Sequence, residues 1–315
     1  MRIALLGTNF GQAHAAVYAA RQDVEVVMFG RDPARTAEIA GRFGHVASTD
    51  LDSAFAGDDF DLVDICLPIA LHAQTAVRAL EAGRHVLVEL PLAGDLDDAR
   101  RVIAARDRAD RQVFVDMFER FIPANRVLFE TVRDGAYGRL EQLTLHNRTA
   151  HLWPGASLGL RALPLEALHS DLDIITRLLG TPTDVAVRAL ARDADSATVE
   201  VSLAFEDTAL ARTEVSSLMP MSWGARGGWT ATFTHGVLDS TGTMGFDGKP
   251  TGTLTAHTPD GARELTLPPA DQYTALIEHV LACLRGQETN EIPPESTLDA
   301  LALTLDVHHR VNGPR

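Results

Sequence analysis

Between residues 1 and 120, short apolar runs alternate with stretches of helical period. Ile3 to Leu6, Val24 to Phe29, Leu62 to Leu67, His85 to Val88 and Gln112 to Val115 predict strands, and Gly7, Gly30 and Pro68 close the first three. Helices are predicted over residues 12–21, from Asp32-Pro33 onward, over 70–82 and over 95–108. Asp32 offers an N-cap oxygen, and Pro33 a preset φ for the first helical position. Runs that are apolar at every position belong to strands covered on both faces, which predicts a parallel sheet. Strands and helices alternating around such a sheet give a doubly wound α/β domain.

The period changes after residue 121. Leu140 to His146, Thr198 to Phe205 and Glu264 to Leu267 alternate apolar with polar, the mark of strands with one buried and one wet face. Helices are predicted over 123–134, 271–285 and 295–311. The expected architecture is therefore α/β: a doubly wound parallel sheet over 1–120, then an α+β domain over 121–315 with an open, mainly antiparallel sheet.

Composition narrows the partners. The 315 residues include 28 Lys and Arg against 43 Asp and Glu, a net charge of −15, and 45% are hydrophobic. Such a chain can bury a core but lacks the cationic surface that nucleic acid or anionic lipid requires. Cys66 and Cys283 are the only cysteines, so neither a disulfide framework nor a four-cysteine zinc site is expected. No apolar run approaches the ~20 residues of a membrane span, and the apolar start is too short for a signal peptide. A cytoplasmic protein acting on a small molecule, with no bound metal, is the expectation.

The first strand runs into Gly7-Thr8-Asn9-Phe10-Gly11-Gln12, a partial match to the G-x-G-x-x-G dinucleotide fingerprint. Gly7 permits the tight turn, Asn9 tolerates positive φ, and a helix starting near Gly11 would offer free N–H groups to a pyrophosphate. At the tip of the second strand, Gly30 leaves room and Arg31 can pair with a 2′-phosphate, while Asp32 is accounted for as a helix cap. This favours NADP, with NAD as the alternative.

These segments together resemble the Gfo/Idh/MocA family of glucose–fructose oxidoreductase and inositol dehydrogenase. The likeness rests on Gly7 to His14, Gly30 to Arg35, Leu67-Pro68 with His72, Ala79 to Leu92 (ALEAGRHVLVELPL) and Glu119 to Ala124 (ERFIPA). It implies a Rossmann domain followed by an α/β domain whose open sheet makes a homodimer or homotetramer, and an NAD(P)-dependent oxidoreductase. It also implies cofactor contacts from Phe10, Leu67, Pro68, His72, Glu89 and Pro91. Two positions depart from the family pattern. The lysine of its E-K-P motif is Leu90, which can neither donate nor carry charge. The D-x-G-x-H-x-x-D motif falls on Glu166 to Asp173, with Ser170 at the histidine position and His169 one place earlier.

On a regular helix Glu166, His169, Ser170 and Asp173 fall within an arc of about 100°, and His169 and Asp173 are spaced to hydrogen-bond. Glu166, His169 and Asp173 are therefore the candidate acid–base residues, with Ser170, His151 and Trp153 as candidate substrate contacts. Trp223 and Trp229, among glycines, suggest a mobile loop or a subunit contact. The expected reaction is hydride transfer between nicotinamide and a small polar substrate, sugar-like or a biosynthetic intermediate. A non-redox reaction (elimination, hydrolysis or cyclisation) and a non-catalytic dinucleotide sensor are the alternatives.

Overall fold

The computed structural model describes residues 1–57, 59–150, 157–206, 208–244, 250–268 and 271–313. In chain order the elements begin β1 (Arg2–Leu6), α1 (Gly11–Ala19), β2 (Glu25–Phe29), α2 (Pro33–Phe43), β3 (Val46–Ser48), β4 (Leu62–Ile65), α3 (His72–Glu81), β5 (His85–Glu89), α4 (Leu96–Ala109), β6 (Val113–Asp116) and α5 (Pro123–Asp134). They continue β7 (Leu140–Thr149), α6 (His169–Leu179), β8 (Asp184–Ala191), β9 (Ala197–Phe205), β10 (Ala209–Ser216), β11 (Ala225–Phe233), β12 (Gly236–Met244), β13 (Pro250–Thr258), β14 (Gly261–Glu264), α7 (Gln272–Leu284) and α8 (Leu298–Asn312). No helix among the described residues is long and apolar enough to cross a membrane. The chain forms two compact units, Met1–Phe118 with Gln272–Leu298, and Glu119–Asp271 with Asp299–Arg315.

The first unit holds a six-stranded sheet in the order β3-β2-β1-β4-β5-β6, parallel throughout. Ile3 to Leu6, Leu62, Val63 and Val86 to Val88 are fully buried, as their unbroken apolar runs require. The strand order reverses between β1 and β4, which opens a crevice at their carboxyl ends. Asp32 caps α2 through bonds from the Ala34 and Arg35 N–H groups.

Residues 272–298 correct the expected division at 120/121, because they return to the first unit. β6 is the last strand of its sheet and would otherwise expose an edge. Val115 N–H donates to Ile292 O (3.0 Å), and the Asn290 amide donates to Val113 O (2.9 Å), so the returning segment covers it. Arg106 on α4 pairs with Glu295 at 2.8 Å. The ring of Tyr273, on α7, lies 5.1 Å from that of Phe118.

The second unit holds an eight-stranded sheet in the order β14-β13-β12-β11-β7-β10-β9-β8. Only the β7/β10 pair is parallel. Val199, Val201 and Leu203 on β9, with Ala211 and Val215 on β10, form one buried face with Leu168, Leu172 and Ile175. Trp229 sits in β11 and is buried, its indole N–H donating to Asn125 Oδ1 at 2.7 Å, so it belongs to the core and not to a loop. Residues Pro164–Leu168 form a π-helical turn that leads into α6.

Candidate functional site

The turn from β1 to α1 is built around Gly7, whose φ is +116°. A Cβ there would lie 2.2 Å from Cys66 O, so the close approach of β1 to the end of β4 demands glycine. Gly30 is equally constrained: a Cβ would meet Thr36 Oγ1 at 2.2 Å. Gly11 opens α1 and is buried, whereas Phe10 is exposed. No side chain caps α1 and its first turn carries no acid, which leaves the helix start open to an anion. Asn9 Oδ1 accepts a 2.6 Å bond from Arg35 Nη2, holding a guanidinium beside the turn. Arg31 is exposed. The tight turn at Gly7, the start of α1 that no side chain caps and the Arg35 guanidinium held beside it fit the phosphates of a dinucleotide.

His72 ties two further segments of the crevice together. Its ring lies 2.6 Å from Leu67 O, before Pro68, and 2.8 Å from Pro91 O, beyond the cis Leu90–Pro91 bond. Burial holds its pKa below the ordinary value, so the neutral ring donates to one carbonyl at a time.

Behind the turn lies a buried ionisable cluster. His14 on α1 places Nδ1 2.8 Å from Asp64 Oδ2 and Nε2 2.9 Å from Asp116 Oδ2. Tyr18 donates its hydroxyl to Asp64 at 2.8 Å, and Cys66 Sγ lies 3.6 Å from Nδ1. Burial opposes a charge on His14, but Asp64 and the bonds to Asp116 and Asp64 outweigh it and hold the ring well above its usual pKa. It is an imidazolium donating to two carboxylates. Glu89, the last residue of β5, reaches within 3.6 Å of the same Nε2. Burial first, then the neighbouring Asp116, pushes the Glu89 carboxyl well up. Glu89 Oε1 and Asp116 Oδ1 have no hydrogen-bond partner among the described residues.

In the second unit, Arg120 forms a two-pronged bond to Asp173, at 2.8 and 2.6 Å, with both side chains buried. The expected His169–Asp173 hydrogen bond is not made. His169 Nδ1 lies 2.9 Å from Thr304 Oγ1, which itself donates to Ala300 O. Nδ1 therefore carries the ring proton, and Nε2 keeps a lone pair with no hydrogen-bond partner among the described residues. Burial lowers the His169 pKa to about 4. Ser170 is buried beside it, whereas Glu166 is exposed on the π-helical turn. The wider turn breaks the 100° spacing on which the single polar face depended. His151 and Trp153 lie outside the described residues.

Several residues escaped the sequence reading, Asp64, Asp116 and Arg120 among them, and so did Arg35, Glu119 and Asp171. Arg35 was legible in principle, as a cation in the first turn of the helix after the second strand. Glu119 accepts from the Asn125 amide, and burial with nearby Asp171 raises its pKa to about 8. Asp171 accepts from Thr213 (2.5 Å) and Asn147 (3.1 Å), and burial raises it to about 6. Nothing in the sequence marks Asp171 as buried or Glu119 as half-buried.

Residues 1–117 match the Gfo/Idh/MocA model, described as an oxidoreductase family with an NAD-binding Rossmann fold. The chain is 36% identical over 138 residues to 4-carboxy-2-hydroxymuconate-6-semialdehyde dehydrogenase from Sphingobium sp., covering 43% of this chain and 44% of that protein. Matches to the first curated relatives thus span less than half of their length. A longer match, 30% identical over 288 residues, covers 84% of this chain and 79% of dTDP-3,4-didehydro-2,6-dideoxy-alpha-D-glucose 3-reductase from Streptomyces violaceoruber. The fold is also similar to that of a mutant 3-ketoreductase from Actinomadura kijaniata in complex with TDP-benzene and NADP. Its TM-score is 0.79 at 21% identity, over 98% of this chain and 96% of that one.

Proposed function

This chain belongs to the Gfo/Idh/MocA oxidoreductase family, and from that premise we propose that it transfers a hydride between NADP and a carbon of a small, polar, sugar-like substrate. The observation that carries the cofactor choice is the second turn. Asp32, the acid available for a ribose hydroxyl, is engaged in capping α2, while Arg35 is docked at Asn9 and Arg31 stands exposed beside Gly30. Two guanidiniums and no free acid suit a 2′-phosphate better than a bare ribose. The long alignment with a sugar-nucleotide 3-reductase supports a keto-sugar or its alcohol as substrate.

The nicotinamide, when bound, supplies or accepts the hydride. The chain positions the substrate and handles the proton. Leu90, at the family's lysine position, can do neither. Among the second-unit residues, His169 presents the unprotonated Nε2 needed by a base at neutral pH, and Glu166 an exposed carboxyl. Asp173 acts through Arg120, whose orientation it fixes. Ser170, His151 and Trp153 are assigned to substrate contact. A homodimer or homotetramer through the second sheet is part of the same reading. Leu190 and Leu210 are exposed on the face opposite Val199, Val201 and Leu203, and sizing by light scattering tests it.

The direct experiment measures NADPH and NADH binding by fluorescence, then reduced-cofactor absorbance across a panel of keto-sugars. Tighter NADPH binding and turnover are expected. No binding of either form overturns the reading, and product without net cofactor change replaces the redox reaction with a non-redox one.

A further inference from the structure

The buried cluster behind the β1–α1 turn holds more negative charge than its one imidazolium balances. Asp64, Asp116 and Glu89 surround His14, and His14 and the two aspartates are wholly buried. Among the described residues, the groups around the ring include Tyr18 from its own helix, Asp64 and Cys66 from the end of β4, Glu89 from β5, Asp116 from β6 and Tyr273 from α7, 5.9 Å away. No lysine or arginine is among them. Three ionised carboxylates around one cation in a low-dielectric interior are costly, so the group retains a proton or takes up a cation.

The geometry favours the proton. His14, Cys66 and Glu89 do bring potential ligand atoms within 4.8 Å of one another. Both ring nitrogens, however, are already within 2.9 Å of a carboxylate oxygen, which leaves neither lone pair for a metal. Glu89 Oε1 and Asp116 Oδ1 lack hydrogen-bond partners among the described residues, and both carboxyls approach His14 Nε2. A proton retained on one of these two carboxyls relieves the excess of buried charge. Of the three acids, Glu89 alone retains exposure, 12% of its side chain. It ends a parallel strand on the side where ligands of such sheets bind. The next residue, Leu90, offers it no cation.

We infer that Glu89, backed by Asp116 and His14, is a proton-exchange site that responds to the charge of the nicotinamide. It releases a proton when the oxidised, cationic ring binds and keeps it when the reduced, neutral ring binds. A positive ring near Glu89 favours carboxylate, and a neutral ring leaves the buried carboxyl protonated. The inference rests on the cofactor reading above. Phosphate groups are common to both forms of NADP, so the difference between the forms isolates the nicotinamide end.

Isothermal titration of the full chain with oxidised and reduced NADP, in two buffers of different ionisation enthalpy at one pH, counts the protons exchanged. The expected result is a release larger for the oxidised form by up to about one proton. In Glu89→Gln, checked for folding by circular dichroism and titrated to saturation with each form, that difference should vanish whatever the change in affinity. The unaltered protein provides a second readout. Its Kd for oxidised NADP should tighten with rising pH, by up to about tenfold per unit, relative to the Kd for NADPH. Equal proton counts for the two forms, or a difference that survives Glu89→Gln, overturn the inference. So does stoichiometric copurifying metal whose removal abolishes the difference. Absence of binding by either form instead overturns the cofactor reading itself.

Discussion

Arg120 grips Asp173 with two N–H···O bonds, 2.8 and 2.6 Å long, in a position that solvent scarcely reaches. Removing one partner of such a pair leaves the other charged and buried, which costs far more than the intact pair contributes. Asp173→Asn keeps the shape but removes the charge. It should destabilise the chain by roughly 3–5 kcal/mol, read as a fall in the denaturant midpoint. A loss below about 1 kcal/mol would mean that Asp173 is not the main counter-charge of Arg120.

The two arginines of the second turn should separate the cofactors. Arg31→Ala and Arg35→Ala are each expected to weaken NADPH binding by about ten- to a hundredfold, the worth of a charged hydrogen bond, and NADH much less. Arg35→Ala also frees Asn9, so it should show some effect on NADH. Equal weakening of both cofactors by Arg31→Ala removes that residue from the 2′-phosphate.

His169 makes stability fall in acid. Its folded pKa, about 4, lies below the ordinary histidine value, so the unfolded chain takes up the proton first as pH drops. The stabilisation of the neutral ring is present above pH 6.5 and is lost between there and about 4. His169→Gln should flatten that part of the curve of unfolding free energy against pH. An unchanged slope would contradict a buried neutral ring.

Glu119 acts in the opposite sense. Its folded pKa is raised to about 8, so the folded chain holds a proton that the unfolded chain releases from about 4.5 upward. Stability tied to this group is fully present below that range and falls as pH rises to about 8. Glu119→Gln, neutral at every pH, should gain on the parent by on the order of 1–3 kcal/mol at pH 8 and little at pH 4. Denaturation at the two pH values checks it, and an equal effect at both would refute the shift.

Gly7→Ala is expected to cost roughly 2–4 kcal/mol, because its Cβ has no room against Cys66 O and the backbone is left-handed. Gly11→Ala meets only ordinary contacts and should be mild. Thermal melts of the pair test whether steric room, rather than the number of glycines, defines this turn.

The parallel sheet was legible because buried strands leave unbroken apolar runs, and Ile3 to Leu6 or Val86 to Val88 have no other economical explanation. The alternating strands of the second unit were equally plain along Thr198 to Phe205. What was hidden depends on distance across the fold. An amphipathic segment such as Gln272–Leu284 states that it needs a partner surface, not which one, so its return to β6 could not be read. The helical wheel through Glu166 assumed regular winding, and the π turn at Pro164–Leu168 displaced it. Asp171 and Glu119 look like any surface acids until Thr213, Asn147 and Asn125 are seen to enclose them.

That returning segment also sets a timetable for biosynthesis. The edge of β6 is sealed by Asn290 and Ile292, residues that follow Glu119–Asp271 in the sequence. A ribosome must therefore pass residue 292 before the first unit is finished, leaving an unsealed strand edge exposed while Glu119–Asp271 is made. Fragments ending near residue 120 should accordingly clump when expressed alone, while a fragment rejoined to 272–298 by a short linker should stay dispersed.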